Sequence, residues 1–357
     1  MIIDVVKVFI PAVVSFIIGI TVTPIFTAYL YKHRMWKKQG GKVAPDGKST
    51  PIFNTLHKDR EVGTPKMGGI IIWFSAAATT VIFWLLAELS PGGIFTKLDF
   101  LSRNQTWLPL FALIQGGLVG LIDDFLEIKG GGDHIAGGLS LRKRLAVVSL
   151  IGLAAALWFY FKLDVHTIGL PFVGDIEVSF LFIPIFILVM LAIYSGGVID
   201  GIDGLAGGIF AGIFAAYSVI AFYQNQIDLA AFGAVIVGAI LAFLWFNIPP
   251  ARFYMSETGT MSLTIVLGIF AFMTDSLGDG HGIVALPIIA LPLVLTSLSV
   301  ILQLTSKKLR HGKKVFLVAP LHHHFEAKGW PPYKVVMRFW VIGVIFAVMG
   351  VVLALIG

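Results

Sequence analysis

Ten apolar runs, each near the length needed to cross a bilayer, leave this chain few folds to choose from. They are centred on residues 8–30, 68–88, 107–122, 145–161, 179–195, 205–223, 228–246, 259–274, 283–304 and 335–356. A helix needs roughly 20 residues to span the hydrocarbon core. Hydrophobic residues make up 57% of the 357 and charged residues 13%, which excludes a soluble domain. No ten-residue alternating repeat is present, which argues against a β-barrel. The first run is too long for a signal-peptide core and lacks a small-residue cleavage site, so it is expected to stay as a span. The fold expected is all-α and polytopic, about ten transmembrane helices in one domain over residues 1–357.

Basic residues orient the spans. Threading them alternately puts 31–67, 123–144, 196–204, 247–258 and 305–334 on one side. With their flanking helix ends these loops hold 22 of the 26 Lys and Arg. By the positive-inside rule that side is cytoplasmic and both termini lie outside. Because the basic residues lie in short loops rather than on one soluble face, nucleic acid is not an expected partner. Residues 163–178 alternate apolar and polar around two Gly-containing turns, the pattern of a small β-hairpin on the outer face. Asp275, Asp279 and His281 form a Gly-rich outer turn, more simply solvated than metal-binding. With no cysteine in the chain, disulfides and thiolate chemistry are excluded.

The polar residues cluster in the inner loops. Asp123 and Asp124 close an apolar run that starts at Leu108. Ionisable groups at membrane depth are costly and mark function more often than not, although a solvated helix end reads the same way. Asp200 and Asp203 stand three apart in Gly196-Gly-Val-Ile-Asp-Gly-Ile-Asp-Gly204, so a helical turn would put them on one face; capping of the following span is the plainer alternative. Glu257 precedes another apolar run, where it could complement the helix dipole, with Tyr254 beside it suited to stacking a base or anchoring at the interface. Gly63-Thr-Pro and Met67-Gly-Gly fix a turn and permit close backbone approach.

The densest signal is Ala319-Pro-Leu-His-His-His-Phe-Glu326, after a basic stretch from Lys307 to Lys314. Neighbouring residues on a helix point about 100° apart, so three successive histidines cannot face one metal. Imidazoles beside lysines and arginines suit phosphate. Carboxylates facing basic groups are the layout for a polyphosphate neutralised by Mg²⁺, which takes one or two carboxylates plus phosphate oxygens.

These elements resemble the phospho-N-acetylmuramoyl-pentapeptide transferases, a branch of the polyprenyl-phosphate N-acetylhexosamine-1-phosphate transferases. The likeness rests on Gly63-Thr-Pro with Met67-Gly-Gly, Leu121-Ile-Asp-Asp-Phe, Gly138-Leu-Ser-Leu-Arg142, Asp200-Gly-Ile-Asp-Gly-Leu-Ala, Phe246-Asn247, Pro320 to Glu326, Gly329-Trp330 and Arg338-Phe-Trp340. The resemblance implies Asp123, Asp124 and His322 as catalytic residues. It implies a nucleotide-sugar pocket of Asp200, Asp203, Asn247, Tyr254, Gln303 and His323, with Thr64, Lys129, Arg142 and His324 as further substrate contacts. It implies Mg²⁺ held by Glu257 with Asp123 and Asp124. Three positions depart from the family pattern. Glu257 in Met-Ser-Glu replaces an aspartate in Met-Gly-Asp, and Gly197 replaces an asparagine. The segment before Gly138 is longer, so Lys129 is only the nearest counterpart of the family lysine.

The implied reaction is attack by undecaprenyl phosphate on the β-phosphorus of UDP-N-acetylmuramoyl-pentapeptide, with release of UMP. The implied setting is the inner interface of a bacterial plasma membrane, with the lipid bilayer as partner and a homodimer allowed. Transfer of N-acetylglucosamine-1-phosphate is the rival within the class. A transporter or a weakened scaffold homologue are the rivals outside it; transporters usually show repeats and midplane polar groups, which this sequence lacks.

Overall fold

In lipid, backbone N–H and C=O groups have no water to bond, so an apolar run must satisfy them within itself as a helix. The computed structural model describes residues 2–38, 40, 41, 51, 54, 55, 62–130, 138–277 and 281–356. Among these, nine helices are long and apolar enough to span a membrane, and ten if one bent pair counts as a single span. In chain order the spans are α1 (Ile2–Lys32), α2 (Ile70–Leu89), α3 (Trp107–Lys129), α4 (Leu141–Leu157), α5 (Phe182–Ser195), α6 (Leu205–Tyr223), α7 (Ile227–Asn247), α8 (Ser256–Ser276), the pair α9 (Gly282–Ile289) and α10 (Leu291–Leu309), and α12 (Pro332–Ile356), with the short α11 (Leu321–Ala327) between the last two.

The core lies around α6, α7 and α8. Helix α1 and α6 flank α7, α3 runs along α8, and α12 packs on α6. Helix α8 is buried almost throughout, whereas α1, α4 and α12 keep most of their surface at the periphery. The expected hairpin is present: β1 (Thr167–Leu170) pairs antiparallel with β2 (Gly174–Glu177), Thr167 opposite Glu177 and Leu170 opposite Gly174. It stands over an aromatic cluster in which Phe186 stacks on Phe272 with ring centroids 3.9 Å apart.

Three details differ from the sequence-based expectation. Helix α3 does not end at the aspartate pair but runs on to Lys129, so Asp123 and Asp124 lie inside it. The ninth span is broken: α9 and α10 meet at 71°, where Pro292 begins a new helix in the first turn, a position at which its missing N–H costs nothing. Helix α4 runs on into a π-helical turn, Trp158–Lys162. Asp279 of the outer turn and Lys42, Lys48, Lys58 and Arg60 of the first basic loop lie outside the described residues.

Candidate active site

At Gly120, helices α3 and α8 touch closely enough to leave no room for a side chain between them. A Cβ on Gly120 would stand 2.2 Å from the Glu257 carbonyl oxygen, so only glycine fits here. One turn further along α3, this contact sets Asp124 against the N-terminus of α8. Asp124 Oδ2 accepts bonds from the Thr258 N–H (3.0 Å) and the Thr258 hydroxyl (2.6 Å). Both aspartates are almost wholly inaccessible, and a buried carboxylate must be answered by donors or cations.

Two cations answer them, and a third answers the neighbouring Glu127. Arg144, on the first turn of α4, reaches Asp123 Oδ2 with Nη2 at 3.0 Å and Glu257 Oε1 with Nη1 at 2.5 Å. Its Nε donates to the Leu139 carbonyl, and the Leu139 N–H donates to Asp123 Oδ1 at 2.7 Å. Lys66 stands 3.4 Å from Asp124 Oδ1 and contacts Glu127 Oε2, while Lys37 takes Glu127 Oε1 at 2.9 Å. Burial alone would push the Lys66 ammonium down, but Asp124 and Glu127 outweigh it and hold its pKa above the ordinary lysine value.

Asp123, Asp124 and Glu127 each offer an oxygen, all within 4.8 Å of one another, so the cluster could hold a metal ion. An all-oxygen carboxylate set suits a hard divalent cation. Glu257 is not in this triad; the Arg144 guanidinium separates it from Asp123, and its second oxygen lies 3.4 Å from the Thr260 hydroxyl. Thr260 is also the side chain that a Cβ on Gly197 would meet, at 3.4 Å. Ser256, in the place of the family's glycine, adopts φ 56°, a left-handed conformation that favours glycine.

A second cluster adjoins the first. Asp200 and Asp203 do not share a helical turn and do not cap α6, whose N-terminus at Gly204 has no side-chain cap. Both reach across to the neighbouring loop instead. Asp200 Oδ2 accepts from the Ser256 N–H at 2.8 Å and Asp203 Oδ2 from the Ala251 N–H at 3.2 Å. Asn247 bridges the same two loops, accepting from the Gly204 N–H and donating to the Phe253 carbonyl. Tyr254 pairs through its backbone with Pro65 and Gly68. Gly201 faces the histidines of α11: a Cβ there would lie 2.4 Å from His322 Nε2 and 2.7 Å from His323 Nε2.

His323 Nδ1 bonds Glu326 Oε2 at 2.6 Å, both residues buried. That pairing leaves Nε2 of His323 on the Gly201 side. His324 turns away, its Nδ1 accepting from the Leu317 N–H at 3.2 Å. Burial and the nearby Lys328 hold its pKa below the usual histidine range.

The remaining expected residues lie further out. Gln303, on α10, spends its amide on the segment that follows that helix, accepting from the Val315 and Phe316 N–H groups and donating to the Phe316 carbonyl. Lys129 is exposed, with its ammonium 4.3 Å from the Phe125 ring centroid. Arg142 is exposed on α4, and Thr64 is half-buried in the turn before Pro65. Sequence reasoning did not single out Lys66, Glu127, Arg144 or Thr258. The signal for Glu127 was its place three and four residues after the aspartate pair, one turn on along the same helix face.

Residues 106–275 match the sequence profile of glycosyl transferase family 4. The phospho-N-acetylmuramoyl-pentapeptide-transferase of Latilactobacillus sakei is 34% identical over 338 residues, covering 94% of this chain and 95% of that protein. The protein of the same name from Anoxybacillus flavithermus is 33% identical, covering 94% of each chain. That of Rickettsia massiliae is 34% identical over 94% of this chain and 88% of its own length.

Proposed function

The chain belongs to the phospho-N-acetylmuramoyl-pentapeptide-transferase family, and we propose that it transfers phospho-N-acetylmuramoyl-pentapeptide from its UDP derivative to undecaprenyl phosphate, releasing UMP. The observation that carries this reading is the meeting of the buried carboxylates of α3 with Arg144 and Lys66, next to the histidines of α11, at the inner ends of the spans of a helical membrane protein. A lipid-borne phosphate and a nucleotide from water can meet only at such an end. By the positive-inside rule that end is cytoplasmic, and the bacterial relatives support a bacterial plasma membrane as its setting.

One phosphoanhydride is broken and one is made, so catalysis rests on positioning and on neutralising phosphate charge. Asp123, Asp124 and Glu127 are the residues that would hold Mg²⁺, which neutralises pyrophosphate charge when bound. Arg144 fixes Asp123 and Glu257 relative to each other, and Asp123 orients the attacking lipid phosphate or takes its proton. His323, with its tautomer set by Glu326, and His322 present ring nitrogens toward the Asp200–Gly204 loop, where they serve the nucleotide sugar's phosphates. Asp200, Asp203 and Asn247 fix the two loops of that pocket.

The test is UMP release by the purified protein with undecaprenyl phosphate and either UDP-N-acetylmuramoyl-pentapeptide or UDP-N-acetylglucosamine, with and without EDTA. Release with the muramoyl substrate alone, abolished by EDTA, is expected. Release only with UDP-N-acetylglucosamine would move the chain to the related branch.

A further inference from the structure

The carboxylates of this site are already answered by cations of the same chain, and one of those cations sits where a metal would go. Lys66 contacts Glu127 Oε2 and faces Asp124 Oδ1 at 3.4 Å, so its ammonium lies between two of the three triad carboxylates. Its side chain is 14% exposed. Its backbone is held from two sides. The Lys66 N–H donates to the Met35 carbonyl at 2.8 Å, and the adjacent Pro65 carbonyl accepts from the Tyr254 N–H at 2.8 Å. The lysine is therefore delivered to the triad by the fold rather than drifting there on a loose loop.

The charge count points the same way. In the ion pairs of this cluster four carboxylates (Asp123, Asp124, Glu127 and Glu257) meet three cations (Lys37, Lys66 and Arg144). Among the described residues these pairs leave one negative charge over, too little to balance a dication added beside them. Asp124 Oδ2 is also committed to Thr258, which leaves Oδ1, the atom facing Lys66, as its open ligand. A hard divalent ion and an ammonium thus compete for Asp124 Oδ1 and Glu127 Oε2, and like charges at that distance repel.

We infer that Lys66 is a tethered counter-ion on Asp124 and Glu127, and that a divalent cation loads onto the triad only when the Lys66 ammonium swings out. Metal affinity is then set by this lysine as much as by the carboxylates. The inference rests on the transferase reading only for the class of ligand, a divalent cation. It goes further in assigning a role to a residue outside the family motifs' acidic and histidine positions.

The experiment is a Mn²⁺ titration of the detergent-purified full chain, free Mn²⁺ being read by electron paramagnetic resonance. Lys66→Met is expected to tighten Mn²⁺ binding by about tenfold or more. Lys66→Arg, which keeps the charge, should bind as the unaltered chain does, and Lys66→Met combined with Glu127→Gln should lose the gain. Lys66→Gln keeps a donor for Glu127 without the charge and should repeat the effect of Lys66→Met if the latter folds poorly. Melting curves supply an independent reading, with Mn²⁺ raising the melting temperature of Lys66→Met or Lys66→Gln more than that of the unaltered chain. Equal or weaker Mn²⁺ affinity in both neutral variants would overturn the inference. UMP release is measured separately. Tighter Mn²⁺ binding with no UMP release from any UDP-sugar would remove the transferase reading and leave the counter-ion in place; UMP release with unchanged affinity would do the reverse.

Discussion

Asp124 and Thr258, 134 residues apart in the chain, are joined by two hydrogen bonds to one carboxylate oxygen, from the Thr258 N–H at 3.0 Å and from its hydroxyl at 2.6 Å. A bond to a charged acceptor contributes roughly 1.5–3 kcal/mol. Thr258→Val keeps the shape and removes the hydroxyl, so UMP release should fall by about tenfold or more. Thr258→Ser should stay within about threefold of the unaltered enzyme. Equal turnover in the two variants would strip the hydroxyl of its role.

Arg144 and Arg142 separate a site residue from a neighbour two positions away. Arg144 spans Asp123 and Glu257 with two nitrogens, a reach that a single ammonium cannot match. Arg144→Lys is expected to lower kcat by about tenfold or more, while Arg142→Ala changes it by less than about threefold. The opposite ranking in a UMP-release assay would return the role to Arg142.

Gly201 is tested by adding one methyl group. Its Cβ would meet the Nε2 atoms of His322 and His323 at 2.4 and 2.7 Å, and both rings are buried, with His323 held by Glu326. Gly201→Ala should leave a folded protein with strongly reduced UMP release. Unchanged kcat and KM would mean that the two imidazoles do not need their present placement.

At the other end of α8, Asp275 accepts from the Gly169 N–H at 3.0 Å and the Ile283 N–H at 3.1 Å, tying the hairpin to the start of α9. Asparagine can accept at only one of these sites, so Asp275→Asn should cost roughly 1–3 kcal/mol and lower the melting temperature. At about 1.5 Å per residue, Asp275 lies roughly 27 Å along α8 from Glu257. Turnover per folded molecule should therefore hold steady; a large fall in kcat would contradict a purely structural role.

Orientation is tested by single cysteines in this cysteine-free chain. A cysteine at Lys313 should react only with reagent on the cytoplasmic side, and one at Asp175, in the hairpin, only with reagent outside. Reversed labelling would invert the proposed topology.

The spans and the hairpin were legible because lipid and strand pairing act locally on the sequence. The run 205–223 coincides with α6, and the alternation across 163–178 contains both strands. The 71° break was not read, although Pro287 and Pro292 stood in the ninth run, because a proline signals an interruption without fixing its angle. The site was half legible. Asp123 and Asp124 announce themselves as charges in an apolar run. Their partners Lys66, Arg144 and Thr258 come from three other segments, and only the close approach at Gly120 and the turn of α4 bring them in. Gln303, expected as a substrate contact, is bonded to Val315 and Phe316 beyond its own helix, which its sequence position alone could not reveal.

Helix α8, buried almost throughout, carries Thr258, Thr260, Ser262, Thr264 and Thr274 among its apolar residues. Such a segment partitions into lipid less readily than its peripheral neighbours, since each hydroxyl needs a bond that lipid tails cannot supply. Thr260, Thr264 and Thr274 can turn their hydroxyls onto their own helix, but Ser262 donates to the Leu113 carbonyl of α3 and Thr258 to Asp124. Helix α3 precedes α8 in the chain, and α8 gains by docking on it rather than by facing lipid alone. The docking of α8 and the completion of the acidic cluster are thus one event, and a chain cut off before α8 is left with two aspartates and no hydroxyl to receive them.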